Sequence, residues 1–299
     1  MLVGKFFNNI NPKNRSHYFS GLSFNSISVK KNDIFFAIKG TNINGNKYIK
    51  DAIKKGARTI VSNLNFKGLK KKVLYIKSKD SRKLLSEVAT KFYKNKPKNL
   101  VAVTGTNGKS SISDFYFQIL KLNKKKVASI GTLGVKTYFN NIKMKNTTLD
   151  PILLNKHLQK IKKQKIENVI LEASSHGLKQ HRLDGLNFKL GIFTNLSRDH
   201  LDYHKSYQDY LNSKLILFKN LLKNNSGVII DKDISQYKII KNIAERKKLK
   251  VFSVGSIYCS LEILKHYYKG EKQIFQIKYK NKIYLLSVNL IGKVQIKNI

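Results

Sequence analysis

KNLVAVTGTNGKSSISDFYFQIL, Lys98 to Leu120, decides how this chain is read. Leu100 to Val103 is an apolar run suited to a buried strand. It breaks at Gly105, turns through Thr106, Asn107 and Gly108, and reaches Lys109, Ser110 and Ser111, where an amphipathic helical pattern begins. A strand, a glycine turn and a helix start make a phosphate cradle: glycines let backbone N–H groups face an anion, and the helix N-terminus adds partial positive charge. Lys109 can reach the outer phosphates of a nucleoside triphosphate, and the Ser110 hydroxyl can hold Mg²⁺. An ordinary strand-to-helix turn has no need of lysine and serine at the helix start. Gly105 to Ser111 are therefore expected to bind ATP. The strict pattern G-x-x-x-x-G-K-[ST] is not met, because Val103 stands where its first glycine belongs.

The 299 residues are long enough for about two domains. No run of about 18 apolar residues occurs, and MLVGKFFNNINPKNRSHYF lacks the apolar core of a signal peptide, so the cytoplasm is expected and a membrane role is not. The single cysteine, Cys259, can form no internal disulfide and is expected to be a small core residue. The net charge of +42 suggests nucleic acid, but only six of the 59 basic residues are arginine. The lysines are spread along the chain among asparagine, isoleucine, tyrosine and phenylalanine, a bias that AT-rich codons explain. A nucleic-acid surface more often gathers arginine and aromatics in one stripe. Nucleic acid is not expected as the main partner, and a monomer is expected.

Residues 1 to 95 read as a small α/β domain. DIFFAIKG (33–40), RTIVSN (58–63) and VLYIKS (73–78) are strands, and helices are expected from Tyr48 to Lys55 and from Ser81, as cap, to Tyr93. KNKPKN (94–99) is the natural linker to a second domain, 96–299. There NVILEAS is a strand with Glu172 near its C-terminal end, where open α/β sheets place their ligands and where a carboxylate beside a phosphate loop usually faces Mg²⁺. LGIFTNL (190–196) repeats the design and delivers Asp199 and His200. His176, His181 and His204 read as structural histidines. SYQDYLNSKLILFKNLL (206–222) is an amphipathic helix capped by Ser206, with Lys214 at its middle, and strands and one helix complete the chain.

The loop GTNGKS directly after a buried strand resembles that of the Mur ligases and folylpolyglutamate synthetases, ATP-dependent enzymes that join an amino acid to a carboxylate. LEASSHGL, QHR and FTNLSRDHLDYH resemble the muramoyl-tripeptide synthetases, the MurE branch, almost continuously, and SFNSISVKKNDIFFAIKG resembles their uridine-nucleotide-binding domain. The resemblance implies uridine contacts from Ser26 and from Thr41, Asn42 and Ile43. It implies substrate contacts from the NTT loop (Asn146, Thr147, Thr148) and from Ser174, Gln180 and Arg182. Arg182 is apt for an acidic ligand, since a guanidinium pairs with carboxylate bidentately. It further implies Mg²⁺ held by Ser110, Glu172, His200 and a carbamylated Lys214, with Lys109, Glu172, His200 and Lys214 in catalytic roles.

The reaction implied is amide formation between UDP-N-acetylmuramoyl-L-alanyl-D-glutamate and a diamino acid, meso-diaminopimelate or L-lysine, through an acyl phosphate made with ATP. NLIGKVQIKNI resembles the start of a helix that continues in the family, so the ATPase domain is expected to be cut short and a C-terminal amino-acid-binding domain to be absent. A remnant that binds nucleotides without turnover, another Mur ligase or a folylpolyglutamate synthetase, and a basic nucleic-acid binder are the other readings.

Overall fold

The computed structural model describes residues 1–299 except 9, 41, 42, 145, 201 and 291. The fold is mixed α/β with mostly parallel sheets. Contacts divide the described residues into two compact units: 1–94, 150–157 and 180–185 form the first, and 95–149, 158–179 and 186–299 the second.

The first unit is built on five strands, β1 (Gly21–Ser23), β2 (Asp33–Phe36), β3 (Thr59–Ser62), β4 (Gly68–Lys70) and β5 (Val73–Lys77), in the order β1-β2-β3-β5-β4. All neighbours are parallel except β4 and β5. The side-chain period of two sorts β2 onto both faces. Ile34 and Phe36 join Val61, Leu74, Leu85, Val88 and Ala89 in one core, and Phe35 joins Ile49, Ala52, Ile60 and Val73 in another. Helix α1 (Ile49–Lys54) supplies Ala52, and α2 (Ser81–Phe92) supplies Leu85 and Val88. The cap of α2 is Asp80 rather than Ser81: its carboxylate accepts from the backbone N–H of Arg82 and Lys83, both at 3.0 Å. A carboxylate satisfies two orphan donors at once and favours the helix dipole, which a hydroxyl does less well.

The second unit carries β6 (Asn99–Thr104), β7 (Val127–Gly131), β8 (Gly134–Thr137), β9 (Asn141–Ile142), β10 (Asn168–Glu172), β11 (Phe188–Phe193), β12 (Leu222–Asp231), β13 (Lys250–Gly255), β14 (Leu261–Lys269), β15 (Lys272–Tyr279) and β16 (Lys282–Val288). They form one sheet in the order β16-β15-β14-β13-β12-β11-β6-β10-β7-β8-β9. β6 lies between β10 and β11, parallel to both, with Glu172 level with Val103 and Phe193 level with Thr104. The chain leaves β6 toward β7 on one side and returns to β11 on the other. The C-terminal end of β6 is thus the point where strand order reverses, the usual crevice for a ligand in such sheets. Helix α3 (Lys109–Leu122) covers the centre, laying Ile112 and Tyr116 on Val101, Val103, Ile170 and Ile192. The remaining α-helices among the described residues are α4 (Pro151–Lys163), whose residues up to 157 are counted with the first unit, α5 (Ser175–Lys179), α6 (Tyr207–Ile216) and α7 (Tyr237–Arg246).

Ser206 caps α6, accepting from Asp209 N–H at 3.1 Å. The helix expected to reach Leu222 ends sooner. It passes at Leu217–Leu221 into a π turn, and Leu222 already belongs to β12. Three buried apolar residues in that turn, Leu217, Phe218 and Leu221, explain why the apolar period misled. Cys259 is only partly buried and sits outside the core, its Sγ donating to Ile257 O at 3.1 Å.

Candidate active site

The phosphate loop is shaped by residues far away in sequence. Gly105 has φ 147°, and a Cβ there would lie 1.8 Å from Thr194 Oγ1. Only glycine allows the loop following β11 to close on it so tightly. That loop grips the cradle through several hydrogen bonds, among them Thr106 N–H donating to Asn195 O at 2.9 Å, Asn107 N–H to Asn195 Oδ1 at 3.0 Å, Thr194 Oγ1 to Asn107 O at 2.6 Å, and Ser197 N–H to Thr106 Oγ1 at 3.0 Å. Gly108 is the left-handed N-cap of α3, so Lys109 and Ser110 open the helix facing the crevice.

Lys109 Nζ donates to Gly105 O at 3.0 Å and Thr106 O at 2.8 Å. Lys214 Nζ reaches the same Gly105 O at 2.7 Å from α6, lies 4.3 Å over the Tyr210 ring, and is 1% exposed. Burial lowers the Lys109 ammonium below its ordinary range, against the pull of Glu172 and Asp199. Lys214 is pushed down to about 7, first by burial and then by the charge of Lys109.

Glu172 is 2% exposed. Its Oε2 accepts from Ser110 Oγ at 2.9 Å and Thr132 Oγ1 at 3.1 Å, and its Oε1 from Thr132 N–H at 3.0 Å. A Cβ on Gly131 would stand 2.1 Å from Oε1, so the last residue of β7 has no room for one. Thr147 Oγ1 lies 3.0 Å from Thr132 Oγ1. Thr148, buried, donates its hydroxyl to Glu172 O at 2.9 Å and meets Ser174 Oγ at 2.9 Å. His200 has φ 52°, and its ring is half exposed, edge-on to His176 at 5.1 Å between centroids.

Thr106, Asn107, Gly108, Lys109, Ser110, Ser111, Thr132, Thr147, Glu172, Ser174, Ser175, His200 and Lys214 line one crevice of about 260 Å³. The structure thus brings together nearly all the expected phosphate-loop residues, the expected metal set, Thr147 and Ser174. Thr148 is spent on the end of β10, and Asn146 is exposed. Ser26, Gln180 and Arg182 are counted with the first unit. Ser26 is buried in a turn whose preceding Asn25 accepts from Ile27 N–H, and Arg182 donates to Gln180 Oε1 through Nη2 at 2.7 Å. Ile43 is exposed, and Thr41 and Asn42 lie outside the described residues. Sequence reasoning missed Thr132, whose only signal was its place just after a strand ending level with the cradle, and Asn195, hidden in FTNLS.

Residues 103–299 match the Mur ligase middle domain, and residues 18–93 match the Mur ligase family catalytic domain. The chain belongs to the Mur ligase family.

This Mur ligase chain is 39% identical over 290 residues to a protein of Rickettsia montanensis named UDP-N-acetylmuramoyl-L-alanyl-D-glutamate--2,6-diaminopimelate ligase, covering 95% of this chain and 60% of that one. A Clostridium tetani protein of the same name is 35% identical, covering 93% and 57%. A solved structure of a ligase of that name superposes with TM-score 0.89 at 26% identity, covering 100% of this chain and 61% of the other. MurF from Thermotoga maritima in complex with ADP shares the fold at TM-score 0.59 and 18% identity. The chain spans about 60% of the length of the curated relatives it matches.

The Mur ligase crevice suits a hard cation. Its donors beside Glu172 are hydroxyl oxygens, and among the described residues no three carboxylate, imidazole or thiolate groups converge as a self-sufficient metal cage. Mg²⁺ is ordinarily held by one or two carboxylates and completed by phosphate oxygens and water. No helix among the described residues is long and apolar enough to cross a membrane.

Proposed function

We propose that this chain carries the nucleotide and muramoyl-peptide sites of a MurE-type ligase, which joins meso-diaminopimelate to UDP-N-acetylmuramoyl-L-alanyl-D-glutamate at the expense of ATP. The observation that carries this is the convergence of the buried Lys214, the half-buried Lys109, a triply hydrogen-bonded carboxylate and a glycine cradle in one crevice. Diaminopimelate is favoured over L-lysine by the names of the relatives.

In this reading Gly105 to Ser111 hold the phosphates of ATP. Ser110, Glu172, His200 and a carbamylated Lys214 would hold Mg²⁺, which supplies charge neutralisation between two polyanions. Asn146, Thr147, Thr148, Ser174, Gln180 and Arg182 contact the acidic muramoyl-peptide, and Ser26 with Thr41, Asn42 and Ile43 contact the uridine diphosphate. The D-glutamyl carboxylate attacks the γ-phosphorus of ATP, ADP leaves, and the amine of the diamino acid displaces phosphate from the acyl phosphate. In this reading Lys109, whose Nζ lies at the Gly105 carbonyl of the cradle, meets negative charge that grows on the transferred group, the main protein contribution in such chemistry.

Carbamylation of Lys214 is supported by its environment. An amine adds CO₂ only when neutral, releasing one proton, and burial holds Lys214 at about 7. The product exchanges a buried cation beside Lys109 for an anion. The enzyme works in this reading as a cytoplasmic monomer without nucleic acid.

Calorimetric titration of the chain with UDP-N-acetylmuramoyl-L-alanyl-D-glutamate, with UDP, and with ATP tests the proposal. Specific binding of the muramoyl-peptide, weakened in Arg182→Ala, is expected. A folded chain that binds neither nucleotide would sink it.

A further inference from the structure

The crevice contains two hydroxyls whose hydrogens are assigned by elimination. Thr132 Oγ1 donates its one hydrogen to Glu172 Oε2, a carboxylate oxygen that only accepts. The 3.0 Å contact between Thr132 Oγ1 and Thr147 Oγ1 therefore takes its hydrogen from Thr147. With that hydrogen turned inward, Thr147 faces the crevice with lone pairs alone. Oxygen lone pairs repel the oxygens of an acidic ligand.

A divalent cation at Glu172 changes the count. Glu172 Oε2 already accepts from both Ser110 and Thr132, so a cation held at that oxygen would compete with the Thr132 hydroxyl for it. Thr132 can then turn its O–H to Thr147, and Thr147 can turn its own O–H outward. Two hydroxyls rotate; no bond forms or breaks and no proton changes owner. The neighbouring pair behaves otherwise. Thr148 donates to the backbone oxygen of Glu172, so its hydrogen stays where it is.

We propose that Thr147, Thr132 and Glu172 form a two-position hydroxyl relay, through which a divalent cation at Glu172 converts Thr147 from acceptor to donor and so favours an oxygen-rich acidic ligand. Thr132 is a positioning residue in this scheme. The acidic ligand and the cation both rest on the MurE-type reading above; the hydrogen bonds that join Thr147, Thr132 and Glu172 do not. Linkage makes the effect reciprocal, so the acidic ligand tightens the cation by the same factor.

The test is titration of the full chain with UDP-N-acetylmuramoyl-L-alanyl-D-glutamate, with and without Mg²⁺, in the unaltered protein and in Thr132→Ser, Thr132→Val and Thr147→Val. Mn²⁺ binding followed by electron paramagnetic resonance, with and without the same ligand, gives the reciprocal factor. Mg²⁺ is expected to tighten the ligand about fivefold or more in the unaltered chain and in Thr132→Ser. Most of that gain disappears in Thr132→Val, which keeps the shape and loses the hydroxyl, and in Thr147→Val. An equal gain in Thr132→Val, or none in the unaltered chain, overturns the relay while leaving the MurE-type reading standing. An unaltered, folded chain that does not bind the ligand at all overturns that reading and the relay with it.

Discussion

The turn after β1 and the loop after β6 draw on the same stock of asparagine, serine and threonine, and they use it differently. In the first unit Asn25 accepts from Ile27 N–H and Asn44 from Asn46 N–H, each two residues away, and their neighbours Ile27 and Ile43 are exposed. In the second unit Thr106, Asn107 and Ser110 are bonded to residues 62 to 104 positions away. A short polar side chain that caps its own turn fixes the loop's shape and little else. One that is tied across the sheet fixes where another segment lies. The difference teaches which polar motifs can drift: a self-capped turn survives replacement of its neighbours, whereas a cross-sheet tie needs both ends.

The sharpest way to break the contrast is Lys109→Ala. Removing a charged hydrogen-bond donor from the cradle is expected to weaken ATP by roughly 1.5–3 kcal/mol, tenfold to more than a hundredfold, read by calorimetry. Unchanged affinity would mean that the crevice is no nucleotide site. Gly131→Ala comes next, since its Cβ would press on Glu172 Oε1. A loss of about 1–3 kcal/mol in urea unfolding is expected, and a neutral result would show that Glu172 moves freely.

Lys214→Met probes the buried cation through pH. Burial holds the ammonium at about 7 in the folded chain, against 10.5 for an ordinary lysine. Between those values the unfolded chain binds more protons, so stability should rise with pH there. The substitution is expected to flatten that rise; a profile identical to that of the unaltered chain would count against the buried cation. The smallest effect belongs to the self-capped turn. Asn25→Ala should cost about 0.5–1 kcal/mol and leave ATP affinity where it was. A large drop in ATP affinity would erase the distinction between the two loops.

Much of the second unit was legible because its residues obey local rules. The apolar run of β6, the glycine turn and the helix start are contiguous, and Glu172 stands at a strand end whatever its neighbours do. The cap of α2 was misplaced by one residue because Asp80 and Ser81 are both good caps, and only the donors' positions choose between them. Thr132 escaped notice because its importance comes from β10 and β7 lying side by side, a register that no local pattern encodes. The end of α6 was missed for a related reason. Leu217, Phe218 and Leu221 continue an apolar rhythm, yet packing of that turn and the pairing of Leu222 with Phe188 in β11 decide where the helix stops.

The carbonyl of Gly105, held by a lysine 109 residues further along the chain, has a consequence for the order of assembly. Contacts of such sequence separation close late, because the entropy of the intervening loop must be met before they reward it. The cradle's glycines and lysine are made early in synthesis, but its shape depends on Thr194, Asn195 and Lys214, which emerge from the ribosome afterwards. A nascent chain arrested before residue 214 therefore holds the sequence of a nucleotide loop without its geometry, and nucleotide can reward folding only at the last steps.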